Sequence, residues 1–401
     1  MSAELDFPPK PLSELAEVTG GVTLGRTVPE AVSVELPYLR VANVQDGFID
    51  TSDLKMVRVL QSEVQRYSVR KGDVLITEGG DFDKVGRGAV WDGRISPCLH
   101  QNHLFRVRCN PAKLLPEYLA IYLASDNGRR YFLSIAKQTT NLASINSTQL
   151  KRMPVPCPPL EEQRRTVEVL EAFGQQERAI ETAIAKARLI REEVARILLA
   201  HRNAPIVTIA DVAVVGSGST PSRSRSDYWS GGTVSWVRTA EICFDIINET
   251  AERVTAKAVE ETGLRVYPPG SVLLAMYGEG VTRGRSAVLG VAATVNQAAA
   301  AIVCDPQKID YRYLRYWLEG HYEEIRKIGQ GSNQTNLNGA LVAAIRLPLP
   351  SIEAQRWMVA PVEAFDARLK SDTSELQKLR TLRRGIVGNL LSRNLTNLAH
   401  M

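Results

Sequence analysis

Two glycine-containing segments carry basic and polar side chains of the kinds that bind phosphates and base edges. They are residues 78–87 and residues 276–285. Glycine lets the backbone approach a phosphate closely, and a guanidinium group binds phosphate oxygens or the O6/N7 edge of guanine. Each segment by itself is as typical of a surface turn with solvated charges. The candidate contact residues in these segments are Lys84, Arg87, Tyr277, Thr282, Arg283 and Arg285.

Uncharged amide clusters follow each glycine segment. Amide side chains can form paired hydrogen bonds with the N6/N7 edge of adenine. The Thr-Asn-Leu sequences at 140–142 and 335–337 are equally typical of capped turns, so two of these asparagines have a structural alternative. The candidates in the amide clusters are Gln101, Asn102, Gln138, Asn141, Asn296, Gln297, Asn333, Gln334 and Asn336.

Catalytic motifs are missing from the sequence. It contains no GxxxxGK[ST] phosphate loop, and the glycines of residues 278–284 have the wrong spacing for a dinucleotide site. His100 and His103 lie three apart in a predicted strand, which places them on opposite faces and argues against a ligand pair. None of the five cysteines forms a CxxC pair. We therefore expect a binding protein without catalytic, cofactor-binding or metal-ligating residues of its own.

The chain contains an internal repeat. The segment KGDVL at 71–75 returns as PGSVL at 269–273, and PPLEEQ at 158–163 returns as PSIEAQ at 350–355. The order of such pairs is kept, while their offset drifts only from about 198 to about 192 residues. Because this period is much longer than that of a solenoid repeat, it indicates two duplicated domains.

Each repeat consists of an irregular part followed by a long helix. Short β-branched runs broken by Gly, Asn and Asp predict strands in the irregular part, together with one helix. Apolar residues three or four apart, with Arg, Lys and Glu between them, then predict a coiled-coil seam. The alternative is an amphipathic helix packed on its own domain, but some 40 residues span about 60 Å, which a small domain could not cover.

These patterns predict an α+β fold with two α/β domains in pseudo-twofold repeat, separated by two long antiparallel coiled-coil helices. The α/β domains are expected at 1–155 and 204–347, and the helices at 156–203 and 348–395. The predicted seam positions are Val167, Leu170, Phe173, Ile180, Ile184, Ala187, Val194 and Leu198 in the first helix, and Val362, Phe365, Leu369, Leu376, Leu379, Leu382, Ile386 and Leu390 in the second.

The overall composition is that of a globular protein. Of the 401 residues, 44% are hydrophobic and 23% are charged, and the formal net charge of +5 permits nucleic-acid binding without demanding it. The sequence has no run of about 18 apolar residues, and its first residues lack the basic flank and apolar core of a signal peptide. We expect a cytoplasmic protein that does not contact a membrane.

Over nearly its whole length the chain resembles the specificity subunit of type I restriction–modification systems. The motifs that carry the resemblance are PYLRVANVQDG at 37–47, LITEGGD at 75–81 and PPLEEQ at 158–163, then GSTPS at 218–222, YW at 228–229, VSWVR at 234–238 and LPSIEAQ at 349–355. The second copy departs from the full PPLEEQ motif but keeps its place. The resemblance adds further DNA-contact candidates, namely Arg40, Asn43, Ser219, Thr220 and Arg238.

The resemblance implies that residues 1–155 and 204–347 are target-recognition domains, each reading one half of a split double-stranded DNA target. The helices would separate these domains and dock methyltransferase subunits, of which two are expected. Those partners would bind S-adenosylmethionine and methylate adenine N6. A restriction and translocase subunit would join with ATP and Mg²⁺, while this chain would carry no catalysis.

Two alternatives stay open at this point. One is a recognition subunit of a methylation or defence system that lacks a motor subunit. The other is a coiled-coil scaffold whose globular heads bind protein. DNA affinity that falls linearly on a logarithmic salt scale would separate DNA recognition from the scaffold role.

Overall fold

A computed structural model describes residues 7–81, 84–138, 143–200, 204–278, 281–328 and 336–392. The chain divides into two compact units. The first unit comprises residues 1–181 and 375–401, and the second comprises residues 182–374. Each unit therefore contains one irregular segment and a part of both long helices.

The first unit is built from short strands and helices. Its strands are β1 Lys10–Pro11, β2 Ala16–Gly20, β3 Ser33–Leu39, β4 Lys55–Leu60, β5 Val74–Thr77, β6 Gly79–Gly80, β7 Gly88–Val90, β8 Leu99–His100, β9 Leu104–Cys109, β10 Lys137–Gln138, β11 Ala143–Ser144 and β12 Pro154–Val155. Its helices are α1 Leu12–Leu15, α2 Val64–Tyr67, α3 Pro116–Ala124, α4 Asp126–Ile135 and α5 Ser147–Lys151, followed by the long helix α6 Leu160–Leu199.

A four-stranded antiparallel sheet of order β2-β9-β5-β7 forms the centre of the first unit. All four residues of β5 are buried, because Val74 and Ile76 pack towards α3 and α4 while Leu75 packs with Leu39 and Trp91 on the other face. This explains why β5 is apolar throughout instead of alternating. A second sheet of order β4-β3-β8 contains a parallel pair, β3 and β8.

The second unit repeats these elements. Its strands are β13 Ile206–Thr208, β14 Ala213–Ser217, β15 Val234–Val237, β16 Ile246–Ile247, β17 Glu252–Val254, β18 Val272–Ala275, β19 Ser286–Leu289, β20 Ala293–Val295, β21 Ala299–Cys304 and β22 Arg346–Pro348. Its helices are α7 Ile209–Val212, α8 Ala256–Thr262, α9 Tyr311–Gly320, α10 Tyr322–Lys327 and α11 Gly339–Ala343, followed by the long helix α12 Ile352–Ser392.

The strand order of the second unit matches that of the first. Its main sheet runs β14-β21-β18-β19, with β16 added at the edge, and its second sheet runs β17-β15-β20, with β15 and β20 parallel. Each unit also pairs its first strand with its last, β1 with β12 and β13 with β22. The internal repeat and the predicted α/β architecture with two long helices are thus confirmed. The domain boundaries of 1–155, 156–203, 204–347 and 348–395 stay a prediction, with α6 beginning at Leu160 and α12 at Ile352.

A buried glutamine attaches each long helix to its unit. The Gln163 side chain accepts a hydrogen bond from the backbone N–H of Leu115 at 2.9 Å and donates to the carbonyls of Lys113 and Pro158, each at 2.8 Å. Gln355 makes the same three bonds with Asp310, Lys308 and Pro350. Both glutamines have an exposed fraction of 0%. The repeated PPLEEQ motif therefore specifies how the helix begins.

Within each unit, segments of α6 and α12 pair antiparallel. In the first unit Arg383 pairs with Glu177 at 3.3 Å and Arg380 pairs with Glu181, so one helix rises in number as the other falls. In the second unit Arg191 of α6 pairs with Asp366 of α12 at 2.9 Å. The antiparallel pairing that the sequence predicts is confirmed within each unit.

Most of the predicted seam positions are buried or half-buried, from Val167 to Leu198 and from Val362 to Ile386. Leu382 is an error in that prediction, because its exposed fraction is 55%. It lies next to Arg383, which is the residue that turns towards α6 through its pair with Glu177. The side chain of Leu390 lies outside the described residues.

Candidate nucleic-acid interface

A tight turn presents the first glycine segment. The backbone N–H of Thr77 donates to the carbonyl of Arg87 at 2.9 Å, and the Thr77 hydroxyl donates to the carbonyl of Lys84 at 2.8 Å. Gly86 has φ +74°, and a Cβ at this position would come within 2.3 Å of the Phe132 ring. Glycine is required here both for the left-handed backbone and for the contact with α4.

The basic residues of this turn are paired with carboxylates. Lys84 forms an ion pair with Asp81, which holds the pKa of Asp81 below its ordinary value. The Nε of Arg87 lies 3.3 Å from a carboxylate oxygen of Asp46. The turn is therefore electrically balanced within the chain, with Lys84 at the surface and the Arg87 side chain only 17% exposed.

The amide pair of the first unit lies beside this turn and beside the end of β3. The backbone N–H of Gln101 donates to the carbonyl of Leu39 at 2.9 Å, because β3 and β8 run parallel and end together. The N–H of Asn102 donates to the carbonyl of Val22 at 2.9 Å, and the N–H of Glu78 donates to the carbonyl of His103 at 3.0 Å. Residues 101–103 and the glycine segment are therefore neighbours.

The prediction that His100 and His103 lie in one strand is wrong, because His100 ends β8 and His103 lies in the turn before β9. His100 has an exposed fraction of 0%, and burial lowers its pKa to about 4. His103 is exposed, and its Nδ1 lies 2.9 Å from a carboxylate oxygen of Glu78. Within the part of the chain that the structure describes, no group of His, Cys, Asp or Glu side chains could hold a metal ion.

Arg40 and Asn43 share a short turn after β3. A guanidinium nitrogen of Arg40 donates to the Asp53 carboxylate at 2.9 Å, and the pKa of Asp53 is lowered by its hydrogen bonds with Lys55 and Arg40. Asn43 is only 3% exposed, and its amide bonds the backbone of Arg40, Asp50 and Asp53. Asn43 therefore holds the turn and presents no amide edge to a ligand.

Arg238 occupies the position equivalent to Arg40 in the second unit. Each arginine follows the strand that pairs in parallel, and each has its backbone N–H held by the side chain three residues later. For Arg238 that side chain is Glu241. The Nε of Arg238 also lies 3.9 Å from a carboxylate oxygen of Glu252. Arg238 has a side-chain exposure of 46% against 26% for Arg40, so it is the more accessible of the two.

The ends of the second glycine segment are held by the same backbone hydrogen bonds as those of the first. The N–H of Ala275 donates to the carbonyl of Arg285, and the N–H of Gly284 donates back to Ala275, both at 2.9 Å. Arg283 donates to the backbone carbonyl of Arg326 at 2.6 Å, and the Nε of Arg285 is buried. Tyr277, with 37% of its surface exposed, is an aromatic side chain that this segment offers to solvent.

Hydroxyl and amide groups converge near Arg238. Thr220 donates to the Gln297 side-chain oxygen at 2.5 Å, and Thr239 donates to that of Asn296 at 3.0 Å. The Ser219 carbonyl accepts a hydrogen bond from the Trp236 indole at 3.1 Å. Because Thr220 and Thr239 occupy these side-chain oxygens, the two amides keep their N–H₂ groups for a ligand.

An arginine and tryptophan cluster in the second unit was not among the candidates predicted from the sequence. The Arg223 guanidinium lies 3.7 Å from the ring centre of Trp229 and forms two hydrogen bonds with Glu252, at 2.7 and 2.9 Å. The hydrogen bonds from Arg223 are the main reason why the pKa of Glu252 is lowered. The Glu252 carboxylate, on β17, also lies 3.9 Å from the Nε of Arg238. The sequence PSRSRSDYW at 221–229 carried a signal, since its alternating arginines lie directly before an aromatic pair.

Several candidates stand apart from these groups or outside the described residues. Gln138 lies in β10, which pairs with β11 and places it near β6 of the glycine segment. Asn336 is exposed, next to Leu337, whose N–H donates to the Met276 carbonyl at 3.2 Å. Thr282 is half-buried in its turn. The candidates outside the described residues are Asn141, Asn333 and Gln334.

We call the two groups polar edges. The first polar edge comprises Arg40, Lys84, Arg87, Gln101 and Asn102, and the second comprises Thr220, Arg238, Tyr277, Asn296 and Gln297. In the second, the N–H of Asn296 donates to Val237 at 3.0 Å and that of Met276 donates to Ala298 at 2.8 Å, which joins the amides to both the arginine and the glycine segment. Cations, amides and an aromatic ring arranged in this way can contact phosphates and base edges.

In the described part of the chain no helix is long and apolar enough to cross a membrane. Comparison with known families identifies two matching regions. The family model described as the type I restriction modification DNA specificity domain matches residues 5–187 and again residues 203–381. Together these matches cover most of the chain.

Curated relatives carry the same description. The putative type I restriction enzyme MjaX specificity subunit of Methanocaldococcus jannaschii is 24% identical over 382 residues, which cover 89% of this chain and 86% of that protein. The type I restriction enzyme EcoKI specificity subunit of Escherichia coli K12 is 28% identical over 191 residues, covering 45% of this chain and 40% of that protein.

Solved structures share the fold over almost the full length. The S subunit of a type I restriction–modification system from M. genitalium has a TM-score of 0.62 at 13% identity and covers 99% of this chain and 98% of that one. The HsdS subunit from Thermoanaerobacter tengcongensis has a TM-score of 0.53 at 18% identity, with 96% of each chain covered. The chain therefore belongs to the type I restriction–modification DNA specificity family, of which it is a non-catalytic specificity subunit with two copies of the family's domain.

Proposed function

We propose that each unit reads one half of a bipartite double-stranded DNA target through its polar edge. The observation that carries the proposal is the duplication itself. Two units of the same strand order place an arginine after the parallel strand, an amide pair beside it and a glycine turn next to both. A single cluster of this kind is an ordinary surface, whereas its repetition at equivalent positions of two diverged copies supports a shared role.

The two half-sites should differ in sequence. Lys84 of the first turn corresponds to Thr282 of the second, and Gln101 corresponds to Asn296, so the donors and reach of the two edges are different. A homodimer would present identical edges to a palindrome, but a duplicated single chain with diverged edges matches an asymmetric target.

The proposed contact residues are those of the polar edges together with neighbours on the same surface. We include Gln138, Ser219, Thr282, Arg283, Arg285 and Asn336, and we add Arg223 and Arg225 beside the aromatic pair. We also keep Asn141, Asn333 and Gln334, which lie outside the described residues. Asn43 is left out because its amide is used within the chain.

Catalysis would be supplied by partner subunits docked on the long helices. Two methyltransferase subunits would bring S-adenosylmethionine and would flip the target adenine out of the stack for N6 methylation. Restriction and translocase subunits would bring ATP and Mg²⁺. The complex would act on DNA in the cytoplasm. This chain would provide only the recognition of the target sequence and the docking surfaces.

The test is the methylation pattern of the host DNA. Long-read sequencing of a strain with this chain and its methyltransferase should reveal one bipartite adenine-methylated motif that disappears when the gene is deleted. Replacing residues 1–155 with those of a relative should change one half of the motif only. A pattern that changes in both halves, or a methylome unaffected by the deletion, would contradict the proposal and would favour the scaffold role.

A further inference from the structure

Equivalent clefts lie beside the long helices in the two units, and their charges are opposite. In the first unit a cleft of about 560 Å³ is lined by Arg130, Arg380, Arg383 and Arg384, against the carboxylates of Asp126 and Glu177. We call it the basic cleft. In the second unit a cleft of about 570 Å³ is lined by four basic side chains and five carboxylates. We call it the acidic cleft.

The acidic cleft shows which group fits at this place in the fold. Its central cation is Arg191, whose guanidinium bonds Glu319 at 2.6 Å and Asp366 at 2.9 Å, while the Tyr316 hydroxyl donates to Asp366 at 2.7 Å. Burial opposes the charge of Arg191, but these two carboxylates raise its pKa overall. The site is thus satisfied by carboxylates that the chain itself supplies.

The basic cleft contains an arginine equivalent to Arg191 but lacks carboxylates equivalent to Glu319 and Asp366. Arg383 corresponds to Arg191 along the matched helices, because both lie 28 residues after the clamping glutamines Gln163 and Gln355. Ala124, the last residue of α3, corresponds to Glu319, and Gly174 corresponds to Asp366. The first unit therefore has no carboxylate at either of the two positions that pair with Arg191 in the second unit.

The remaining partners of the basic cleft do not compensate for that loss. Glu177 lies 3.3 Å from a guanidinium nitrogen of Arg383, but its other carboxylate oxygen is buried without a hydrogen bond, as is the Nε of Arg383. Among the described residues Arg384 has no ion pair, and Arg130 reaches only the Asn127 side chain, at 3.4 Å. Arg380 pairs with Glu181, but four arginines against Asp126, Glu177 and Glu181, around an apolar floor of Leu170 and Val387, still leave an excess of positive charge.

We propose that the basic cleft docks an acidic segment of the methyltransferase subunit, whose Asp or Glu side chains take the places that Glu319 and Asp366 occupy in the second unit. The inference rests on the proposed function, since it assumes that partner. A carboxylate is favoured over a DNA phosphate because the guanidinium of Arg191, at the equivalent site of this chain, bonds two carboxylates. In the acidic cleft Arg191 already has two carboxylate partners from this chain, so that cleft takes no such segment and the two docking surfaces are not equivalent.

The sharpest test fills the basic cleft from within. Ala124→Glu places a carboxylate where Glu319 stands in the second unit, so that it can pair with Arg383 without altering any arginine. The position is exposed at the end of α3, which gives the new side chain room. Arg384→Glu is the complementary change, because it reverses the charge of a residue that has no ion pair to lose. Arg188→Glu, on the wall of the acidic cleft, is the matched control.

The purified full-length chain would be titrated with its methyltransferase subunit at fixed salt, and separately with duplex DNA containing the target. We expect Ala124→Glu and Arg384→Glu to weaken methyltransferase binding about tenfold or more, with loss of one bound copy in mass photometry, and Arg188→Glu to leave it unchanged. DNA affinity and the thermal unfolding midpoint should stay at the parental values for all three.

The other outcomes overturn the inference. Parental methyltransferase affinity in both cleft variants would show that no acidic segment docks there. A fall in DNA affinity with unchanged methyltransferase binding would identify the cleft as a phosphate site instead. If the parental chain itself binds DNA but no methyltransferase, the partner assignment of the proposed function fails as well, which distinguishes that failure from failure of the cleft alone.

Discussion

At the scale of single residues, carboxylates of the chain hold two arginines of the first polar edge and Arg223, which lies beside the second. Arg40 pairs with Asp53 at 2.9 Å, Arg223 pairs with Glu252 at 2.7 Å, and Arg87 lies 3.3 Å from Asp46. These pairs orient the guanidinium groups, which reduces the entropy lost on binding. They also mean that a phosphate or base must replace or join an existing partner, so the net gain per contact is smaller than for an unpaired arginine.

The equivalent arginines provide a matched pair of mutants. We expect Arg238→Ala to weaken DNA binding by about 1–3 kcal/mol with loss of discrimination in one half-site only, if the guanidinium contacts a guanine. Arg40→Ala should do the same for the other half-site, and less strongly because Arg40 is less exposed. The measurement is the affinity for a panel of duplexes with single base changes in each half.

A phosphate contact gives a different signature for the same two mutants. Binding would weaken alike for all sequences, and the slope of log affinity against log salt would fall by about one. Parental affinity and parental salt dependence in both mutants would remove these arginines from the interface. The buried Asn43 serves as a contrast, because Asn43→Ala should lower stability and leave discrimination between bases intact.

At the scale of elements, the glutamine at the start of each long helix attaches that helix to the unit that carries a polar edge. Gln163 satisfies one backbone donor, the Leu115 N–H, and two backbone acceptors, the carbonyls of Lys113 and Pro158. Its bonds join α6 to the segment just before α3, whose helix in turn packs on the central sheet. These bonds and contacts therefore connect the helix to the sheet that presents the glycine turn.

Removal of this clamp should lower stability. Gln163→Ala removes the partner of the Leu115 N–H and of the Pro158 carbonyl, while the Lys113 carbonyl keeps its bond from the Cys157 thiol at 3.4 Å. We expect the free energy of unfolding to fall by about 3 kcal/mol, given roughly 1–3 kcal/mol for each buried unsatisfied group. Urea denaturation would measure the change. Gln176→Ala, on an exposed position of α6, is the control and should stay within about 0.5 kcal/mol of the parent. A loss for Gln163→Ala no larger than for the control would show that the clamp is not structural.

At the scale of the whole molecule, each long helix contributes to both units. Residues 160–181 of α6 belong to the first unit and residues 182–199 to the second, and α12 is divided in the same way near residue 374. An uninterrupted α-helix is a stiff connection, unlike a glycine-rich linker. If the units bind half-sites on one duplex, the length of these helices should set the number of base pairs between them.

Shortening both helices by two turns tests that expectation. Deleting residues 182–188 and 372–378 preserves the seven-residue register and spares the Glu181–Arg380 and Arg191–Asp366 pairs. The helices become about 10 Å shorter at 1.5 Å per residue, so the preferred spacer should shrink by roughly three base pairs at 3.4 Å each. Three base pairs also rotate a half-site by nearly a third of the helical repeat, so affinity should fall as well.

The measurement uses duplexes that carry both half-sites with every spacer from short to long. The parental chain and the deletion variant would be titrated against the same panel, with circular dichroism confirming that the variant is folded. A folded variant that retains the parental spacer preference would show that the helices do not determine the distance.

Much of this architecture follows from local sequence patterns. The duplication, the strand-rich irregular segments and the two long helices were predicted because repeats and hydrophobic periodicity are local properties of a chain. The glycine-containing segments around Gly86 and Gly284 also indicated turns. Leu382 was assigned to the seam wrongly for the same reason. Periodicity shows that apolar residues lie three or four positions apart, but it does not show which side of the helix the partner covers.

The sequence alone determined that the chain is a duplicated binding protein of this family, whereas only the tertiary structure decided which polar groups meet. The parallel pairing of β3 with β8 brings Arg40 beside Gln101, and antiparallel helix pairing brings Arg383 near Ala124, although more than 60 residues separate the first pair and more than 250 the second. Long-range pairing depends on how all elements pack together, and no local pattern encodes it. The same packing showed that Asn43 is buried and that one of two equivalent clefts lacks its carboxylates.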